Sequence, residues 1–388
     1  MRTKFTNHPY LLQHVVALAI VLWVSSSVYA QPIRGEVPQT VADVFLPEVA
    51  GVTVETWVQN LEIPWSLVFL PNGDALVAER RGTIQRIARG ADQAELYAEI
   101  EVAHVGDNGL MGLALHPDFE HHSFLYAMHG YYQQEDSLFT RISRLKHEGD
   151  TGRFDRVIFD GIPGDPIHIG GRIAFGPDGM LYIGTGDLWN QQVSQDLNSW
   201  AGKILRITPD GQIPKDNPFP GSPIFSYGHR VVQGLAWDPE TGVMFNSEHG
   251  PSGEWPGVDQ RDEINIVEKG GNYGWAKVVG APRIAEYRDP IVMWRGGSVP
   301  PSGLTFFRGD LFVATLASQA LIRIQFENHA DYHVTRIERW FAREVHNGIY
   351  GRLRDVTPGP DGHLYVLTSN SDDQILRLKF EPPEKHVD

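Results

Sequence analysis

The sequence predicts an all-β chain folded as a six-bladed β-propeller of four-stranded antiparallel blades. Three observations predict it. Six stretches repeat one pattern: Trp65–Glu79, Gly112–Gly130, Arg172–Asp187, Gly234–Gly250, Ser302–Leu316 and Asp355–Asn370. Most run an apolar segment into a tight Pro-Asp-Gly-type turn and out through a second apolar segment. That is a β-hairpin, in which Pro presets φ, Asn or Asp tolerates the left-handed region and Gly supplies φ > 0. The starts at 65, 112, 172, 234, 302 and 355 leave spacings of 47, 60, 62, 68 and 53 residues, and a further alternating run follows the hairpins, as in Gly82–Ile87, Lys203–Ile207 and Gln374–Leu378. One unit is therefore about three to four strands, too thin to bury a core without stacking on its neighbours. No segment carries a long helical period.

Taken in order, residues 1–30 stand outside this repeat. Arg2 and Lys4 precede the uncharged apolar run Val15–Val24, and Val28-Tyr29-Ala30 places tolerated residues before Gln31. Ten apolar residues fall short of the ~20 that a membrane span requires, which predicts a signal peptide cleaved near Ala30 rather than a membrane anchor. A loose lead segment at 31–48 follows, then the propeller at 49–380 and a polar tail at 381–388. The chain has no cysteine, so after export it must hold together without disulfides, and it is long enough to do so. A formal charge of −15 argues against a nucleic-acid or anionic-membrane partner.

Blade cores are short, so the surplus residues are expected in loops, and loops on one propeller face commonly form the binding surface. Three polar stretches qualify: Asp165–Asn198, Ser226–Trp275 and Gly296–Ser318. His168 precedes the third hairpin and Asp187 ends it, so the two meet at one rim. There a carboxylate would fix the imidazole tautomer and leave the other nitrogen as a base. A lone loop histidine is as readily a polar surface residue. Arg230 offers a planar fork suited to a carboxylate or an ortho-dicarbonyl. Gly250-Pro251 exposes two successive carbonyls of the hard kind that Ca²⁺ prefers, and Glu263 and Tyr273 are candidates for another hard cation. The same residues also serve as an ordinary turn and a solvated strand edge. Arg352 and Arg354 alternate onto one side of an extended segment, facing one anionic ligand or forming a basic edge strand.

The motifs Asn108-Gly109-Leu110-Met111-Gly112, Gly170-Gly171-Arg172, Gly228-His229-Arg230 with Gln233-Gly234, His249-Gly250-Pro251, Asp262-Glu263-Ile264-Asn265 and Gly271-Asn272-Tyr273-Gly274-Trp275 stand in this order. In order and spacing the chain resembles the soluble, calcium- and PQQ-dependent aldose (glucose/sorbosone-type) dehydrogenases over roughly Asn60 to Lys379. The resemblance implies a six-bladed propeller exported to the periplasm that oxidises a sugar or related alcohol and passes electrons to an external acceptor. It implies His168 as general base, Asp187 as the carboxylate orienting it, and Arg230 beside the quinone carbonyls. It further implies Gly250 and Pro251 carbonyls on the catalytic Ca²⁺, and Arg352 with Arg354 on the PQQ carboxylates. Glu263 and Tyr273 would hold a separate structural calcium, and Asp107 and Gln192 would line the substrate pocket. Homodimers are common in the family.

Several positions depart from that pattern. Val231-Val232 replaces the usual Asn-Pro after Gly228-His229-Arg230, so a donor to PQQ is missing. Ala317 stands where a cofactor-contacting lysine is usual, Asp107 where a glutamine is, and the link Ser252–Arg261 is longer than the family's. Two other readings share the fold: a calcium-dependent propeller lactonase, which would need several side-chain carboxylates on its metal, and a non-catalytic binding propeller.

Overall fold

All six predicted hairpins form, and each opens the innermost strand of a blade within three residues of the predicted start. The computed structural model describes residues 30–134 and 137–381. The predicted signal peptide and polar tail lie outside these residues except at Ala30 and Glu381. The innermost strands are Pro64–Phe69, Leu110–Leu115, Gly170–Phe175, Val231–Trp237, Pro301–Phe307 and Leu353–Pro358, and successive ones lie against each other around a closed ring. Each starts an antiparallel sheet that runs outward, so the blades are six, and the helix content among the described residues is one turn, Phe119–His122.

Alternation along the strands sends apolar side chains to both faces of each blade, and the six interfaces between blades carry six separate apolar clusters. Phe245 fills the interface of blades 4 and 5 and Phe312 that of blades 5 and 6, both almost fully buried. Burying one such ring contributes about 1.5–3 kcal/mol. Closure of the ring comes from an early segment: Val52–Leu61 pairs antiparallel with Asp373–Phe380 as the outermost strand of blade 6.

The segment at 31–48, expected as a loose lead, is tied down. Ile33–Arg34 pairs with Val278–Val279, and Asp43–Leu46 adds a fifth, parallel strand to blade 5. Arg261 Nη1 donates to Gly35 O at 2.6 Å and Trp294 Nε1 to Asp43 Oδ2 at 3.1 Å. Nor do all surplus residues sit in loops. The second repeat is long because its outer strands are long, Ser137–Glu148 and Thr151–Pro163.

One irregularity recurs in every blade. The pairing of the first two strands skips at Trp65, at Met111-Gly112, at Gly171-Arg172, at Gln233, at Ser302-Gly303 and at Arg354. A bulge frees a residue from the ladder and re-aims its side chain. Here the freed side chains meet one another: the Arg172 guanidinium lies 4.4 Å and that of Arg354 5.7 Å from the Trp65 ring centre. Arg172 Nε donates to Gln233 O at 2.9 Å, and Arg354 Nη1 to Gln233 Oε1 at 3.2 Å and Ser302 Oγ at 3.5 Å. Arg172 also pairs with Asp355 across the axis at 3.1 Å. The result is a polar ring at the centre of the propeller.

Candidate active site

Above that ring opens a cavity of about 250 Å³ lined by Trp65, Asp107, His168, Gly170, Val231, Gln233, His249, Ser252, Ser298, Pro300, Leu316, Arg352 and Arg354. The three polar stretches predicted to form a site supply most of it. A larger groove at the hairpin turns, between Trp57, Arg89 and Tyr365, contains no histidine, and its Asp361 is taken by Arg377 and Tyr365.

His168 and Asp187 meet as predicted, Nδ1 to Oδ1 at 2.8 Å. Asp187 is 1% exposed. Its Oδ1 also accepts from the Trp189 amide at 3.1 Å and its Oδ2 from Trp275 Nε1 at 2.8 Å, so the carboxylate is fixed on three sides. Because a carboxylate accepts, Nδ1 carries the imidazole hydrogen and Nε2 is the lone-pair nitrogen. Gly186 permits this approach: a Cβ there would lie 1.8 Å from the His168 carbonyl oxygen. His168 has φ of 56° and Trp189 57°, left-handed conformations held by this packing. The Trp189 ring meets His168 edge-on at 4.5 Å and is 51% exposed.

Arg230 reaches the same imidazole, with Nη2 3.2 Å from His168 Nε2. The segments carrying Asp187 and Arg230, just outside their strands, are stitched together at this point, since the Asp187 amide donates to Arg230 O at 2.7 Å. The guanidinium is not free, however. Glu254 Oε1 accepts from its Nε at 2.8 Å and its Nη2 at 2.5 Å, and both side chains are buried. Glu254 comes from the long link Ser252–Arg261. Trp255 anchors that link by packing against Trp275 at 5.2 Å, within a small cluster with Val258 and Val279.

Arg354 is buried with no carboxylate partner, and its Nε has no hydrogen-bond partner among the described residues. Burial first, then repulsion from Arg352, with Asp107 opposing, pushes its pKa down to about 9. Arg352 lines the same cavity and is exposed. His249 also faces it, its Nε2 without a hydrogen-bond partner among the described residues; burial and the neighbouring arginines hold it well below the usual imidazole range, hence neutral. Asp107 sits at the exposed edge of the cavity. Val231 lines it with a side chain that donates nothing, and Leu316 rather than Ala317 faces it. Gln192 is exposed and outside the lining, whereas Gln191 beside it is buried.

Gly250, Pro251, Glu263 and Tyr273, expected at two cations, border one small internal cavity, together with Glu248. Gly250 and Pro251 are buried, and neither carbonyl accepts a hydrogen bond among the described residues. The Tyr273 hydroxyl is already used, donating to Ile266 O at 2.6 Å and accepting from the Glu268 amide at 2.8 Å, which leaves its main-chain carbonyl as the available ligand. Burial first, and then the nearby Glu248, push Glu263 well above the usual carboxylate range. Among the described residues no three His, Cys, Asp or Glu side chains gather as a metal cluster. The donor set is mainly carbonyl oxygen, which suits Ca²⁺. Arg354, which has no carboxylate partner among the described residues, and Arg352 would likewise suit a planar polyanion such as PQQ.

Residues 61–377 match the sequence profile of the Glucose / Sorbosone dehydrogenase family. The chain belongs to this family. Membership makes it an oxidoreductase of the sugar dehydrogenase type. It is similar to a Thermus thermophilus structure provisionally described as an oxidoreductase (glucose dehydrogenase), with 47% identity over 84% of this chain and 100% of that one, TM-score 0.77. It is also similar to the PQQ-bound aldose sugar dehydrogenase of Streptomyces coelicolor, with 37% identity over 86% and 99%, TM-score 0.74. Among curated relatives, the Escherichia coli aldose sugar dehydrogenase is 31% identical over 85% of this chain and 93% of its own length.

Sequence reasoning did not single out Glu254, Trp189 or His249 as site residues. Trp189 could have been found from its place two residues after Asp187. Glu254 carried one signal only, the unusual length of its loop.

Proposed function

We propose that this chain is a PQQ- and Ca²⁺-dependent dehydrogenase that oxidises an aldose or related alcohol in the periplasm, after signal cleavage near Ala30, and passes the electrons to an external acceptor. The observation that carries the reading is the joining of two features at one cavity: a carboxylate-oriented histidine and a buried arginine with no carboxylate partner among the described residues. When bound, PQQ supplies the hydride acceptor and Ca²⁺ the Lewis acid that polarises it. Arg352 and Arg354 would hold its carboxylates, and the Gly250 and Pro251 carbonyls would hold the metal.

The chain's own work is proton handling and exclusion. His168 Nε2 takes the hydroxyl proton of the substrate, giving up its contact with Arg230 as it does so. Asp187 stabilises the imidazolium that results, and Trp275 and the Trp189 amide keep Asp187 in line. The exposed Trp189 ring offers the apolar face of a sugar a surface to lie on. A lactonase is disfavoured by the absence of a carboxylate-built metal cluster among the described residues. Purified apo-protein given Ca²⁺ and PQQ should reduce a redox dye with at least one member of a panel of aldoses and alcohols. No reduction with any of them, and no quinone absorbance retained after desalting, would sink the reading. His168→Ala should lower turnover by a factor of about 10² or more while PQQ remains bound; loss of PQQ would assign His168 a different role.

A further inference from the structure

The arginine expected beside the reacting carbonyls is already occupied by a residue of the chain itself. Glu254 takes the Nε–Nη2 edge of Arg230 with one oxygen, at 2.8 and 2.5 Å, while its other oxygen accepts from the Ser252 amide at 2.6 Å. That edge is the one a guanidinium uses for planar, two-point recognition of an acceptor. The pair is built into the fold rather than left at the surface: the two side chains are 1% and 4% exposed, and Trp255 next to Glu254 is 3% exposed against Trp275. What remains of the fork points at His168 Nε2 and, at 3.4 Å, at His249 O. Ser252 lines the cavity, but Arg230 and Glu254 do not.

We infer that Glu254 is a positioning residue that holds Arg230 against His168 and, by neutralising it, sets how tightly the cavity holds an anionic quinone. The inference rests on the function proposed above. A cofactor oxygen that approaches Arg230 meets a guanidinium whose best edge is satisfied, so it gains only part of the attraction that a free charge would offer.

The test is the affinity of PQQ for the full-length mature protein in Ca²⁺, followed by quenching of tryptophan fluorescence, together with thermal unfolding of the cofactor-free protein. Glu254→Gln keeps the shape and removes the charge. Its cofactor-free form should melt lower, because Arg230 is then buried without a counterion, while PQQ binds about tenfold tighter or more, the worth of one regained charged hydrogen bond. A merely structural role would lower both quantities. If Glu254→Gln does not fold, Glu254→Asp carries the test, since its shorter arm grips less well and PQQ affinity should rise severalfold. Parent protein that binds PQQ and a folded variant that binds it no tighter would overturn the role of Glu254 and leave the dehydrogenase reading standing. Failure of both proteins to bind PQQ would overturn the two together.

Discussion

Two buried arginines, Arg230 against the His168 imidazole and Arg354 in the cavity that the imidazole lines, have been treated in opposite ways. Arg230, 1% exposed, is matched with Glu254 at hydrogen-bond distance. Arg354, 8% exposed, pairs with no carboxylate among the described residues, Asp107 lying at the edge of the same cavity, and its Nε has no hydrogen-bond partner among them. An uncompensated buried charge costs several kcal/mol, so a fold keeps one only where something outside the chain completes it. The difference separates a charge the protein has settled internally from one it reserves for a ligand.

The sharpest way to break this comparison is to delete each arginine in turn. Arg230→Met strands Glu254 in the interior and should cost about 3–5 kcal/mol of stability, read from denaturant unfolding of the cofactor-free protein. Arg354→Met strands no carboxylate among the described residues, only the neutral acceptors Gln233 Oε1 and Ser302 Oγ, and should cost clearly less than Arg230→Met. A similar loss in both variants would erase the distinction. Acid stability draws on a different group. His129, fully buried with Nε2 2.8 Å from Ser143 Oγ, is pushed from 6.5 down to about 4 by burial and by Arg141. Its folded pKa is lowered, so the unfolded chain binds the extra proton. The contribution is intact above about 6.5 and lost as pH falls towards 4, about 3 kcal/mol in all. His129→Gln should flatten that limb of the stability profile, and an unchanged slope would move the sensitivity elsewhere.

The same Arg354→Met variant should bind PQQ about a hundredfold more weakly, given that two charged hydrogen bonds are at stake. Retained affinity would mean that the orphaned guanidinium serves no ligand. The smallest effect belongs to Val231, 2% exposed at the cavity wall. Val231→Asn supplies one donor and should tighten PQQ about tenfold. No change in the titration would show that position 231 does not face the quinone.

The propeller was legible because each hairpin announces itself through local chemistry, a Pro-Asp-Gly turn between two alternating runs. Ring closure by Val52–Leu61 was not, because a strand that pairs with residues some 320 positions away, as Val58 does with Ile375, carries no local mark of its partner. The parallel addition of Asp43–Leu46 to blade 5 was hidden for the same reason. At the site, His168 and Asp187 could be joined from sequence since a hairpin brings its own ends together. The Glu254 carboxylate could not: a loop has no period, and Ser252–Arg261 offers Glu254, Asp259 and Arg261 with nothing to say which one turns inward. Gln192 shows the limit at its finest, since one residue separates an exposed glutamine from the buried Gln191.

The skipped pairing at the head of every inner strand has a consequence for how such a protein can change. Trp65, Met111, Gly171, Gln233, Ser302 and Arg354 occupy the same step of six different blades, with Arg172 one step further on, each released from its ladder. At the polar members of this set the side chain supports no strand pairing, so an exchange alters what the axis recognises while the blade beneath keeps its hydrogen bonds. The ligand chemistry of this architecture is therefore written at one bulge per repeat, in side chains that touch one another rather than the ladders. A new specificity is reached by rewriting one of them rather than by rebuilding a blade.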